Sequence, residues 1–171
     1  RLNRSLFGDH PYGLSKVGHR GSLAQITERQ MRLLHRRWAQ SGNLVVAVVG
    51  TGEPERIADR LERLLAPLLA NPGQGPEVSV PLYRREPVEH VVRAGHGQSQ
   101  VILGWGTRGL HQPDRIALDL AAAVMGSPAG RLFQKLRDHH GLAYDLDAHH
   151  GSALQGGCFA LELSTDPSRS E

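Results

Sequence analysis

The chain has 171 residues, enough for one ordinary domain or two small ones with a buried core. Apolar residues make up 39% and charged residues 22%, as is typical of a soluble globular protein, and no apolar run approaches the roughly 20 residues of a membrane span. The single cysteine, Cys158, excludes an internal disulfide and a cysteine-based zinc ribbon.

The formal net charge of +3 is unevenly distributed, because residues 1–41 alone carry a net charge of +6. A basic surface of this kind can meet nucleic acid or an acidic partner. Aromatic residues are only 5% of the chain, however, and they do not alternate with basic residues as in single-strand binders. We therefore expect a solvated basic helix surface and no nucleic-acid or membrane partner; a nucleic-acid module is the weakest alternative.

In chain order, the first half predicts a helix that ends near Gly8 and a longer helix with Thr27 at its start. Gln30 stands three residues after Thr27, which is the spacing of a capping box. The apolar run over residues 43–50 predicts a central strand that is buried on both faces. Pro54 suits the first turn of the next helix, which is predicted over residues 51–70.

Turn-forming residues between 71 and 76, with prolines at 81 and 87, predict a linker. Two helices are predicted in the second half of the chain. Ser127 would cap the second of them at its start, and Gly141 would end it. The second half predicts two strands, two helices and two strands, over 88–95, 99–106, 112–126, 127–141, 142–150 and 156–165. This order predicts an α+β fold in which helices pack on a mixed or antiparallel sheet. The ends resemble cut ends, so we expect a fragment.

Metal and nucleotide motifs fail on spacing. Two helical histidines bind one zinc ion when they lie four residues apart, and neither H-E-x-x-H nor H-x-x-E-H occurs. The adjacent pairs His139/His140 and His149/His150 point apart, so we expect no metal site in this chain. The triplet that begins at Asp138 matches an Asp-His-His phosphoesterase in letters only. Gly50 and Gly52 fit a dinucleotide loop, but Glu55 replaces its third glycine.

Arg137 and Tyr144 are the candidate site residues that remain. Arg137 falls in the last turn of a helix and Tyr144 in the strand after it, so the turn can bring the side chains towards each other. A guanidinium and a phenol are both donors, and together they could hold a peptide carbonyl or an oxyanion. From the residues alone, a core tyrosine and a surface arginine remain the simpler interpretation.

The stretch "RLFQKLRDHHGLAYDLDA" closely resembles the segment R-L-F-x-x-L-R-x-x-x-G-L-A-Y of the pitrilysin/insulinase family of zinc metallopeptidases, which includes the mitochondrial processing peptidases. "LFGDHPYG", "ITERQMRLLHRRW", "NLVVAVVG", "QSQVILGWGTRG" and "PDRIALDLAAAVMGSPAGRLF" resemble further family segments in the same order. The resemblance covers nearly the whole chain.

This resemblance implies paired α+β domains that close over a peptide, with zinc held by an H-x-x-E-H helix in the first domain. That helix would lie upstream, so zinc belongs to the parent protein and none is bound by this chain. Residues 1–75 would be the latter part of the first domain, 76–87 the linker and 88–171 the opening part of the second. The family's substrate-contacting arginine and tyrosine map onto Arg137 and Tyr144.

We therefore expect the non-zinc-binding portion of a zinc metalloendopeptidase that binds and orients a peptide, from its inactive, C-terminal region. The parent would hydrolyse peptide bonds with a metal-activated water and a glutamate base. The chain alone would be inactive. The expected partners are a peptide substrate and a zinc-binding domain, either upstream or on a partner subunit, and dimerisation is left open. The alternative is a non-catalytic partner subunit or scaffold of a heteromeric peptidase. We expect a soluble protein of a bacterial cytoplasm or periplasm.

Overall fold

The computed structural model describes residues 1–69, 73, 75, 77–83, 86–93, 95 and 97–170, which group into two compact units. The sheet unit comprises Arg1–Ser15 and Val78–Glu171, and the helical unit comprises Lys16–Glu77. The predicted domain boundaries at 1–75, 76–87 and 88–171 stay a prediction. Residues 70–72, 74, 76, 84 and 85, in or beside the predicted linker, lie outside the described residues.

Helices and a three-stranded sheet confirm the predicted α+β class. The helices are α1 (Leu2–Phe7), α2 (Arg20–Leu23), α3 (Glu28–Trp38), α4 (Pro54–Leu69), α5 (Arg115–Gly126) and a π-helix (Phe133–His139). The strands are β1 (Ser99–Thr107), β2 (Asp145–Ser152) and β3 (Gly157–Thr165). Short 3₁₀ turns lie at Pro11–Gly13, Ser41–Asn43 and Pro167–Arg169.

The sheet has the order β1-β3-β2, and both neighbouring pairs are antiparallel. β2 and β3 form a hairpin, and β1 lies on the far side of β3. Helix α5 packs against β2, and its last residue, Gly126, approaches the β2 backbone closely. A Cβ added to Gly126 would stand 2.7 Å from the amide nitrogen of Ala148, so a side chain here would push the helix off the sheet.

Side-chain alternation along β2 places the core on one face. Leu146 and Ala148 are buried while their neighbours Asp145, Asp147 and His149 are exposed, as the period of two requires. Leu146 packs with Phe133 of the π-helix and with Ala143, which precedes the strand. The partly buried residues against this cluster are Leu132, Leu136 and Leu163. The π-helix is therefore held to the sheet by apolar contacts.

The helical unit confirms two predicted helices. Thr27 caps α3, because its hydroxyl accepts a hydrogen bond from the Gln30 amide and the Gln30 side chain accepts from the Thr27 amide. Helix α4 begins at Pro54, as predicted. The apolar stripe of α3 is exposed: Met31 keeps 62% and Leu34 59% of their surface. No helix in the described part of the chain is both long and apolar enough to cross a membrane.

Two predicted strands are absent from residues that the structure describes. Residues 44–49 form no strand and are exposed rather than buried, with Val45 at 93% and Val49 at 100%. Residues 88–93 also form no strand, and the next residue lies outside the described part. Both stretches have the apolar, β-branched composition of a strand, but a strand also needs a hydrogen-bonded neighbour. No described segment pairs with either stretch.

Two predicted boundaries are also corrected. Ser127 does not cap the helix that follows it; it is the C-cap of α5, and its amide donates to Ala123. The next helix starts at Arg131 instead, because a turn from Ser127 to Gly130 separates the two helices. The strand predicted to include Tyr144 begins one residue later, at Asp145.

A buried polar network joins three elements of the sheet unit at His150, whose side chain is 1% exposed. Its Nδ1 lies 2.7 Å from Asp119 Oδ1 on α5, and its Nε2 lies 3.0 Å from Thr107 Oγ1 on β1. A carboxylate only accepts, so Nδ1 donates to Asp119, and Nε2 shares a hydrogen bond with the threonine hydroxyl. Arg115 stands 3.5 Å from the other Asp119 oxygen.

Tyr83 fixes the same end of the sheet. Its hydroxyl donates to the carbonyl of Thr107 and accepts from the amide of Gly157, 3.2 Å away. Burial raises the pKa of the Tyr83 phenol above its ordinary value, so the group stays protonated and can keep donating. The ring packs against Phe7 with a centroid separation of 5.6 Å, which connects α1 to the hairpin end.

Replacing His150 by alanine should lower the free energy of unfolding by about 1–3 kcal/mol, because Asp119 and Thr107 lose a buried partner. The matched control is His149→Ala on the same strand, where the side chain is 49% exposed and the change should stay within about 0.5 kcal/mol. Urea denaturation of both variants measures the difference. Equal losses would show that the His150 network contributes nothing specific.

Thr165 offers the opposite case. The residue is 2% exposed, and its hydroxyl oxygen has no hydrogen-bond partner among the described residues. Thr165→Val removes this unsatisfied group at almost constant volume, so it should raise the free energy of unfolding by about 1–2 kcal/mol. Thr107→Val, which removes a bonded hydroxyl, should lower it. Thermal melts of the two variants measure the direction of each change in stability. A lower melting temperature for Thr165→Val would contradict the absence of a hydrogen-bond partner for the Thr165 hydroxyl.

Candidate substrate-contacting site

The chain reverses at Gly141 between the two candidate residues. Gly141 has φ 57°, in the left-handed region where glycine is favoured. Its amide donates to the Arg137 carbonyl over 3.0 Å, and the Leu142 amide donates to the Leu136 carbonyl over 2.7 Å. These bonds satisfy carbonyls of the last helical turn and close the π-helix, as predicted for Gly141.

Arg137 lies in that last turn, and its side chain is exposed. The guanidinium carbon stands 5.7 Å from the ring centroid of Phe133, one helical turn earlier, which is within cation–π range. Among the described residues, the guanidinium forms no ion pair within 4.0 Å and no hydrogen bond. Its five N–H donors therefore face solvent.

Tyr144 immediately precedes β2. Its amide donates to the Ser164 carbonyl over 2.8 Å, and Ser164 is also the register partner of Asp145, so the Tyr144 backbone is tied to β3. The side-chain alternation of β2 breaks at this point, because Tyr144 and Asp145 are both exposed between the buried residues Ala143 and Leu146. The Tyr144 side chain is 60% exposed, and its hydroxyl has no hydrogen-bond partner in the described part of the chain. The simpler interpretation of Tyr144 as a core residue is therefore wrong.

Both candidate side chains are exposed donors on rigid backbone, with only the turn from Asp138 to Ala143 between them in sequence. No hydrogen bond joins the two side chains among the described residues. An acceptor placed between them, such as a peptide carbonyl, would be needed to bridge them. That role for Arg137 and Tyr144 stays a prediction.

Arg169 is a residue that sequence reasoning missed. Its Nη1 donates to the Gly141 carbonyl over 3.0 Å, across 28 residues, and so holds the turn between the candidate residues from the far end of β3. The carboxylate of Asp166, which begins the same 3₁₀ turn, accepts from the amide and hydroxyl of Ser168. These bonds lower the pKa of Asp166 below its ordinary value. No local sequence signal connects Arg169 to Gly141.

A cavity of about 140 Å³ lies on the core side of this turn. Its lining is mainly aliphatic, from Val101, Leu136, Leu142, Ala143 and Leu163, with Thr165, Arg169 and Ser170 as polar members. The cavity takes in the inward-facing residues of the turn, whereas Arg137 and Tyr144 face outward.

A zinc site does not fit the residues present. No group of three or more His, Cys, Asp or Glu side chains within the described ranges could hold a metal ion. His139 and His140 are exposed at the helix end, and His149 stands 3.5 Å from Asp147 only. Both ring nitrogens of His150 are hydrogen-bonded, Nδ1 to Asp119 and Nε2 to Thr107. The four histidines of this stretch thus contribute surface and network contacts rather than a ligand set.

Comparison with known proteins identifies the family of the chain. The sequence profile of the family described as "Peptidase M16 inactive domain" matches residues 25–171. An uncharacterized zinc protease of Mycobacterium leprae is 30% identical over 168 residues, and one of Mycobacterium tuberculosis (strain H37Rv) is 31% identical over 174. Each alignment covers 96% of this chain but 38% of the relative, so the chain spans well under half of those proteins.

Solved structures show the same fold. A peptidase M16 inactive domain from Pseudomonas fluorescens superposes with a TM-score of 0.83 at 24% identity, over 96% of this chain and 40% of that chain. A protease from Helicobacter pylori gives 0.78 at 20% identity, over 96% and 41%. The resemblance to the inactive region of pitrilysin-type zinc peptidases is therefore confirmed, and this chain belongs to the peptidase M16 inactive-domain family.

Proposed function

We propose that this chain is the non-zinc-binding portion of a zinc metalloendopeptidase, and that Arg137 and Tyr144 bind and orient the peptide substrate. The observation that carries the proposal is the pair of exposed donors without internal partners, held on either side of the Gly141 turn.

The chemistry of the two groups suits a peptide carbonyl. A guanidinium presents fixed N–H donors and keeps its charge, and a phenol adds a directional O–H donor. Both would strengthen their bonds as the carbonyl oxygen becomes negative during attack on the peptide bond. In this role the chain supplies orientation and charge stabilisation at the oxygen, and no proton transfer is assigned to it.

Zinc is assigned to another part of the peptidase. The relatives named as zinc proteases extend well beyond the region that this chain matches, and the residues described here do not form a zinc site. The zinc-binding domain would precede this segment in the same chain or belong to a partner subunit. Identifying an H-x-x-E-H sequence in either one distinguishes these two arrangements.

A second candidate function is a non-catalytic partner subunit or scaffold of a heteromeric peptidase. The description of the matched family as an inactive domain favours it. The two functions differ at the donor pair: a scaffold needs neither Arg137 nor Tyr144, whereas a substrate-orienting domain needs both. Mutation of these residues therefore separates them.

In the peptidase that carries this chain, Arg137→Ala or Tyr144→Phe should lower the turnover of a quenched fluorogenic peptide by about 10–1000-fold, the usual cost of one lost oxyanion or orienting donor. Each substitution removes a donor from an exposed side chain, so the melting temperature should change little. The matched controls, His139→Ala on the π-helix and His149→Ala on β2, should keep turnover near wild type. Unchanged turnover in the Arg137 and Tyr144 variants would favour the scaffold.

The isolated chain should show no zinc-dependent peptidase activity, because the residues described do not assemble a metal site. The measurement is cleavage of the same peptide with and without added Zn²⁺, after trace metals have been removed by a chelator. Mixing with the zinc-binding part of the peptidase should restore cleavage. Zinc-dependent cleavage by the chain alone would contradict the division of roles between the two parts.

A further inference from the structure

The ring of Phe133 lies beneath the guanidinium of Arg137, with 5.7 Å between the guanidinium carbon and the ring centroid. Phe133 is 9% exposed and belongs to the buried cluster with Ala143 and Leu146. The ring is therefore anchored in the core, whereas the guanidinium above it reaches solvent. Among the described residues, this is the contact that fixes the Arg137 side chain.

An arginine side chain without such a contact samples many rotamers, and ordering it on a ligand costs conformational entropy. A cation over an aromatic face is held by the ring quadrupole, with a modest but directional attraction. Because Leu132, Leu136 and Leu163 pack against the same cluster, the ring cannot follow the arginine if it moves. The Phe133 ring is thus held in place, and the Arg137 guanidinium over it is oriented before substrate binds.

Backbone hydrogen bonds close the helical turn that carries Arg137. The carbonyls of Leu136 and Arg137 accept from the amides of Leu142 and Gly141. The His140 amide also donates to the Lys135 carbonyl over 3.2 Å, the i to i+5 bond of a π-helix, a rare winding that is frequent at functional sites.

We infer that Phe133 is a positioning residue, which holds the Arg137 guanidinium in the direction that meets the peptide. The inference rests on the proposed function, since it needs Arg137 to contact substrate. Phe133 itself touches neither the substrate nor the reacting atoms. Its effect on turnover passes through Arg137 alone.

The test uses Phe133→Leu, which keeps an apolar side chain and removes the ring, and Phe133→Tyr, which keeps the ring. Phe159→Leu is the matched control, because Phe159 is also 9% exposed and packs against Trp105 and His150 instead of an arginine. In the peptidase that carries this chain, kcat/KM is measured for all three, alone and combined with Arg137→Ala.

Phe133→Leu should lower kcat/KM by about 2–5-fold, the size expected for a cation–π contact at an exposed site, while Phe133→Tyr retains the wild-type value. Phe159→Leu should lower the melting temperature by a similar amount but leave kcat/KM near the wild-type value. In the Arg137→Ala background, Phe133→Leu should have no further effect. Wild-type kcat/KM in Phe133→Leu, with Arg137→Ala impaired, overturns the inference and leaves the proposed function intact.

A wild-type kcat/KM in Arg137→Ala would instead contradict the proposed function itself. A second measurement needs no folded Phe133 variant. The Nε–H proton of Arg137 in the unaltered peptidase should resonate upfield of ordinary arginines, because the guanidinium carbon lies over the Phe133 ring. The signal is assigned by its loss in Arg137→Lys. An Arg137 resonance among the other arginines would overturn the inference even if Phe133→Leu failed to fold.

Discussion

The reversal at Gly141 is the constraint on which the candidate site depends. Its positive φ lets the chain leave the π-helix and enter β2 after five intervening residues, and a side chain there would strain the turn. The carbonyl of this glycine is held by Arg169, so the C-terminal end of the sheet unit secures the turn from outside the helix. Arg137 and Tyr144 take their directions from the two backbones that this turn joins.

The elements that the sequence predicted correctly carry local signals. The capping box of Thr27 and Gln30, the proline at the start of α4 and the alternation along β2 each depend on neighbours within a few residues. The apolar stretches 44–49 and 88–93 have the composition of strands, yet the described residues supply them with no neighbouring strand. Pairing is a non-local condition, and a sequence window contains no information about it.

The histidines show the same division between local and distant information. Spacing was sufficient to exclude chelation by adjacent pairs, and alternation along β2 distinguishes inward His150 from outward His149. The partners of His150 could not be inferred, because Asp119 stands 31 residues and Thr107 43 residues away. A family motif likewise identifies Arg137 and Tyr144 as candidate site residues, whereas no sequence signal predicts the contact of Arg169 with Gly141.

A protein surface can leave donors unpaired only where water satisfies them, so exposure alone does not make Arg137 and Tyr144 functional. What distinguishes them is that exposure is combined with order. The Tyr144 backbone is tied to β3, and the Arg137 side chain lies over a buried ring. Ordering a donor before its acceptor arrives lowers the entropy lost on binding, and it helps only when an external acceptor completes the site. The ordered, exposed donors of Arg137 and Tyr144 therefore favour a peptide-binding role over a purely structural one.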